Sequence, residues 1–136
     1  QVSLLPLVVA TTALVAVAAS PLSIDLTFNT RATADRSGSV VVRGTVTCSF
    51  ETTASIEGEV VESLNRSDIA AGEFALEVPC EPTPTPWTAV VAPSTDRSFR
   101  PGFATVAVRA VVFDPESGIF AGVETFGFLH LTRSAH

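Results

Sequence analysis

Residues 22–29 read LSIDLTFN, and their alternation decides the fold. Leu22, Ile24, Leu26 and Phe28 fall on one parity, and Ser23, Asp25, Thr27 and Asn29 on the other. A period of two belongs to a half-buried strand, because successive side chains leave a strand on opposite faces. The pattern returns along the chain. Val40, Val42, Val46, Cys48 and Phe50 alternate with Arg43, Thr45 and Thr47, and Gly44 takes an inward position where it permits a bulge or close packing. Ala54 to Leu64 sets Ile56, Gly58 and Val60 against Glu57 and Glu59.

Gly72 punctuates the approach to a fourth strand, in which Phe74, Leu76, Val78 and Cys80 share a face. Trp87, Ala89 and Val91 mark a fifth. The sixth is long, with Ala104, Val106, Val108, Ala110 and Val112 alternating with Thr105, Ala107, Arg109 and Val111. The seventh, Val123 to Thr132, is apolar on both parities, which predicts cover on both sides, the outer one by a neighbouring subunit. Turn chemistry separates these runs at 35–38, 65–68 and 114–118. Residues 81–86 form a proline-rich connector of polyproline character, since proline lacks the donor a central strand needs. Seven or so short strands at this spacing predict a mainly-β chain, an immunoglobulin-like β-sandwich over residues 21–136. A lone Trp87 near a cysteine suits such a core.

Ahead of the first strand stands QVSLLPLVVATTALVAVAAS, residues 1–20, which contain no charged side chain. A helix apolar all round must be buried, in a membrane or inside an assembly. Val2 to Ala19 would span roughly 27 Å as a helix, close to a bilayer's hydrocarbon core. The tail AVAAS has the small residues of a signal cleavage site, but no basic stretch precedes the run. Three fates follow: a removed signal, a membrane anchor or an assembly element. The expectation is retention for assembly, as a hydrophobic α-helix.

The remainder of the 136-residue chain limits the chemistry. Net charge is −6 with 16% charged residues, which argues against nucleic acid or anionic lipid as partners. All eight basic residues are arginine. The cysteines are two, Cys48 and Cys80, and both lie on inward parity, as a core-spanning disulfide requires. In a chain with an export-like start they read as one disulfide formed in an oxidising compartment, the alternative being two buried thiols. His130 and His136 do not make a zinc set with the cysteines. There is no glycine-rich phosphate loop and no nucleophile elbow. Glu57, Glu59 and Glu62 read as the solvated face of a strand. Asn65-Arg66-Ser67 fits the N-glycosylation pattern in a loop. No catalytic residue, metal site, cofactor or small-molecule substrate is expected.

The start of the chain, Gln1-Val2-Ser3 followed at once by the apolar run, resembles the mature N-terminus of archaeal-type, type IV-like pilins. One hydrophobic helix leading into one β-rich head is also similar to that family. Leu5 departs from it where many relatives carry a glutamate, so registration by a buried carboxylate is not available. The head, from Gly44-Thr45-Val46-Thr47-Cys48 through Val78-Pro79-Cys80, Pro86-Trp87 and Phe99 to Ala104, looks like a family of secreted actinobacterial domains. That likeness implies secretion and a disulfide, and no mechanism.

These readings converge on an expected function: a structural subunit of an extracellular, pilus-like filament on the cell surface. Its partners would be copies of itself in a helical homopolymer, and the membrane before assembly. Packing would fall to Leu4, Leu5, Leu7, Val8, Val9, Leu14, Val15 and Val17, which together contribute on the order of ten kcal/mol if buried. Ala10, Ala13, Ala16 and Ala19 recur every three residues and let helices approach closely. A variant form replaces the helix bundle by strand donation from Val8 to Val17. The alternatives are a secreted or membrane-anchored binding module that recognises a ligand through the proline-rich segment around Trp87 and the Arg97/Arg100 loop, and an accessory subunit of a membrane complex.

Overall fold

The structure is a computed structural model, and it describes residues 22–134. The residues expected to form the assembly helix, Leu4 to Val17 among them, lie outside the described residues, and so does His136. Within the described residues the chain is mainly β. Eight strands are present: β1 (Ile24–Phe28), β2 (Arg31–Ala34), β3 (Val40–Cys48), β4 (Thr52–Ser63), β5 (Ile69–Cys80), β6 (Thr85–Val91), β7 (Gly102–Asp114) and β8 (Ile119–Arg133).

All eight belong to one hydrogen-bonded sheet, in the order β1-β3-β2-β8-β7-β4-β5, with β6 on the other edge of β3. The additional strand is β2, in the stretch between the first alternating run and the turn at 35–38. β1 runs antiparallel to β3, whereas β2 touches the far end of β3 and then lies parallel to β8. This change of partner carries the one sheet from β3 through β2 to β8, β7, β4 and β5. At the far side Ser94 donates its backbone N–H to the Ala71 carbonyl at 2.7 Å, which ties the end of β6 to β5.

The inward parities are those expected, because each strand can bury only one of its two faces. Val40, Val42 and Val46 on β3, Ile56 and Val60 on β4, and Val106, Val108 and Val112 on β7 are buried. Two glycine–aromatic pairs occupy the centre. Gly44 is registered opposite Trp87, and Gly58 opposite Phe74. A Cβ at Gly44 would lie 2.0 Å from the Thr27 carbonyl oxygen and 2.6 Å from the Trp87 ring. The glycine therefore serves close packing and no bulge is needed. Trp87 and Phe74 then stack across the core with centroids 5.9 Å apart.

Cys48 and Cys80 form a disulfide with Cα atoms 5.5 Å apart, joining the ends of β3 and β5 from facing layers. With a sequence separation of 32, the bridge contributes about 3–4 kcal/mol by the chain-entropy estimate.

Several boundaries differ from expectation, each for a local reason. Gly72 lies inside β5, where the Ala92 carbonyl approaches so closely that a Cβ would meet it at 2.3 Å. Pro86 falls within β6, which tolerates it because this strand pairs with β3 alone. β8 begins at Ile119, immediately after the turn closed by Gly118 N–H to the Asp114 carbonyl at 2.7 Å. Gly118 has φ +74°, a left-handed conformation that favours glycine.

The central pairing makes a direct prediction. Gly44→Ala forces a methyl against backbone and indole together and should cost about 1–3 kcal/mol, as overpacked core positions do. Denaturant unfolding under non-reducing conditions measures it, and an unchanged midpoint would contradict the packing described.

Candidate interaction surface

The outer face of β7 and β8 carries an exposed aromatic ladder. On β7 it presents Phe103, Thr105, Ala107, Arg109, Val111 and Phe113, and on β8 Phe120, Gly122, Glu124, Phe126, Phe128 and His130, in antiparallel register. Phe126 is 75% exposed, and Phe103, Phe120 and Phe128 are exposed to nearly the same degree. Isolated exposed apolar residues are ordinary, but a contiguous row on one sheet face marks an interaction site. Phe113 packs on Phe120 with centroids 4.6 Å apart, and Phe103 stacks on His130 at 4.9 Å. These contacts pair Phe113 with Phe120 and Phe103 with His130 across the two strands. In the last strand Leu129 and Leu131 lie inward and Phe126 and Phe128 outward, the latter two exposed among the described residues.

One polar row crosses the ladder. Glu57 on β4 accepts a hydrogen bond from Arg109 on β7, and Arg109 is registered opposite Glu124 on β8. Beyond it lie Glu59 and Glu73, directly opposite one another on β4 and β5, so the flank of the ladder is acidic. Shallow depressions join the two zones, one between Glu59, Val61, Thr105, Ala107, Phe126 and Phe128.

Glu62 does not belong to that solvated series. It has the inward parity of Ile56 and Val60, and only 3% of it is exposed. Its Oε1 accepts the Arg100 backbone N–H at 2.9 Å and so anchors the loop returning to β7. Burial holds its carboxyl above the usual range, partly opposed by the Arg100 N–H and the Arg100 charge. The turn aspartates behave oppositely. The Ser37 hydroxyl holds Asp35 below its ordinary value, and the Ser117 hydroxyl does the same for Asp114.

Of the ligand-binding surface considered around Trp87, Trp87 itself is 2% exposed and belongs to the core, while Pro82, Pro84, Arg97 and Arg100 are exposed. Arg97 is paired with Asp68 at 3.0 Å, holding the 93–101 loop to the β4–β5 connection. Phe99, which alternation did not single out, is buried and plugs that end, its backbone N–H reaching the Gly38 carbonyl at 3.0 Å. Asn65 stands exposed in its loop, and its Nδ2 donates to Asp68 at 2.9 Å. Among the described residues no group of three or more His, Cys, Asp or Glu side chains converges as a metal set. Compared with protein-family models and with curated proteins, the chain matches none.

The pH response of Glu62 can be separated from that of the turns. Its raised folded-state value means the native state holds the proton more tightly. The resulting stability is present below about pH 4, near the unfolded glutamate value, and is lost as pH rises through the raised value. Asp35 and Asp114 contribute above about pH 4 and lose that contribution on acidification. Glu62→Gln keeps the acceptor for Arg100 and removes the titration. The variant should match the parent near pH 4 and exceed it in stability increasingly as pH rises toward 7, with the turn contributions cancelling in the comparison. Thermal unfolding across that range tests this; a parent more stable than the variant at pH 7 would refute the assignment.

Proposed function

We propose that this protein is a structural subunit of an extracellular assembly, working by burial of apolar surface without turnover. The observation that carries the reading is the row of exposed phenylalanines on the outer face of β7 and β8. A rigid β-domain with a disulfide between its layers suits an oxidising compartment outside the cytoplasm. The partition of strands, β1, β3 and β6 against β8, β7, β4 and β5, supports an immunoglobulin-like sandwich as its architecture. Two hallmarks of antibody domains differ: the disulfide joins β3 to β5, and the tryptophan sits on β6.

The filament form of this reading draws on residues 1–20, whose charge-free length suits burial among copies of itself after residence in a membrane. A second reading, a binding module for a different protein, is favoured by the acidic strip of Glu57, Glu59 and Glu73 beside Phe126, which suits a partner with basic and apolar side chains. Electron microscopy of the native exported material, with its intact mass, separates them. Filaments whose subunits retain residues 1–20 support the first, and a dispersed chain lacking them favours the second.

Two variants probe the two surfaces. Phe103→Ser with Phe128→Ser should abolish or sharply reduce sedimentable assembly while changing stability by no more than about 0.5 kcal/mol, as exposed substitutions do. Val9→Asp places a charge in the apolar segment and should prevent filament formation while leaving the β-domain folded by circular dichroism. Filaments that persist in Val9→Asp would remove residues 1–20 from the assembly core.

A further inference from the structure

We propose that the free edge of β8 pairs antiparallel with the same edge of a second copy, in the register centred on Val123. The inference rests on the association reading above and names the partner and the mode of contact. β8 pairs with β7 from Ile119 to Leu131, but on its other edge β2 joins only over His130 to Arg133. Among the described residues, no strand pairs with that edge over 119–129. A run of this length presents unpaired backbone donors and acceptors to any strand that fits.

The other free edges are protected in ways that β8 is not. β1 is five residues long and carries Asp25. β6 contains Pro86 and follows Pro82 and Pro84. β5 carries Glu73, Glu77 and Pro79, and the Ser94 segment covers it at Ala71. Short length, proline and charge are the devices by which sheets avoid edge pairing. Between Ile119 and Phe128, β8 has no proline and one charge, Glu124.

The sequence of that edge is self-complementary. Residues 120–126 read FAGVETF. Paired antiparallel about Val123, Phe120 of one copy meets Phe126 of the other, Ala121 meets Thr125, and Gly122 meets Glu124. Each carboxylate thus faces a glycine, and each aromatic faces an aromatic, a favourable cross-strand pair. A centre one residue later would set Glu124 against its own copy, which like-charge repulsion disfavours. The outer aromatic ladders of the two copies become one continuous surface. A single strand edge with four flanking rings falls toward the low end of interface sizes, so the dimer should be weak and concentration-dependent.

Position 122 tests the register with opposite signs. A Cβ there meets the Ala110 carbonyl at 3.4 Å and a Val111 methyl at 3.7 Å, ordinary contacts, so substitution is compatible with the fold. By symmetry Gly122→Glu introduces two like-charge pairs with Glu124, and Gly122→Arg introduces two opposite pairs. Sedimentation equilibrium of the full chain, in mild detergent, should show dimerisation weakened about 2- to 30-fold by Gly122→Glu and tightened by Gly122→Arg. The contrast should shrink at high salt. Equal dissociation constants for the two variants would overturn the pairing. If Phe103→Ser with Phe128→Ser still reduced assembly in that case, the aromatic-face reading would stand without it. A chain that stays monomeric at every concentration, with amides 119–126 protected from hydrogen exchange, would also overturn it and assign the edge to residues 1–21 of the same chain.

Discussion

Two missing side chains set the spacing of the whole molecule. Gly44 lies under Trp87 and Gly58 beside Phe74, and the two rings stack on each other between the layers. A ring placed opposite a glycine on the neighbouring strand covers exposed backbone and fills the volume the glycine leaves. Trp87 and Phe74, two of the bulky aromatic side chains of the core, are accommodated in this way. Among the described residues the buried indole Nε1 of Trp87 has no hydrogen-bond partner. The valines of β3, β4 and β7 arrange themselves around that centre, and the disulfide fastens one end.

Alternation made most of this legible in advance, because a strand's parity is a local property of its residues. Leu26, Val46, Ile56, Phe74 and Val108 could be placed inward from neighbours two positions away. Where residue type competed with parity, parity won. Glu62 was grouped with Glu57 and Glu59 by charge, yet it follows Val60 onto the buried face and finds the Arg100 N–H there. Trp87 fitted the core pattern and a surface role equally well as a residue type; its register opposite Gly44 decides for the core.

What could not be read is everything that depends on partners distant in sequence. The division of 22–34 into β1 and β2 reflects a change of neighbour from β3 to β8, nearly a hundred residues later in the chain, and no local signal marks it. The same holds for Pro86, acceptable in a strand only because one edge of β6 is unpaired. The aromatic ladder is a partial case. The two apolar faces of the last strand were visible, but the contribution of Phe103 and Phe113 needed the β7–β8 register.

Symmetry separates the possible contacts by what they can build. Edge pairing about Val123 is isologous: it uses the same patch on both copies and is spent once the dimer forms. Such a contact cannot by itself extend a filament, which needs a heterologous contact or a second, different one. The outer ladder is different, because pairing at the edge joins two ladders and leaves both exposed to further copies. The β-domain thus has two surfaces of distinct consequence on a single strand, one closing and one open. If filaments form, the open contact must come from the ladder or from residues 1–20, with β8 pairing at most doubling the repeating unit.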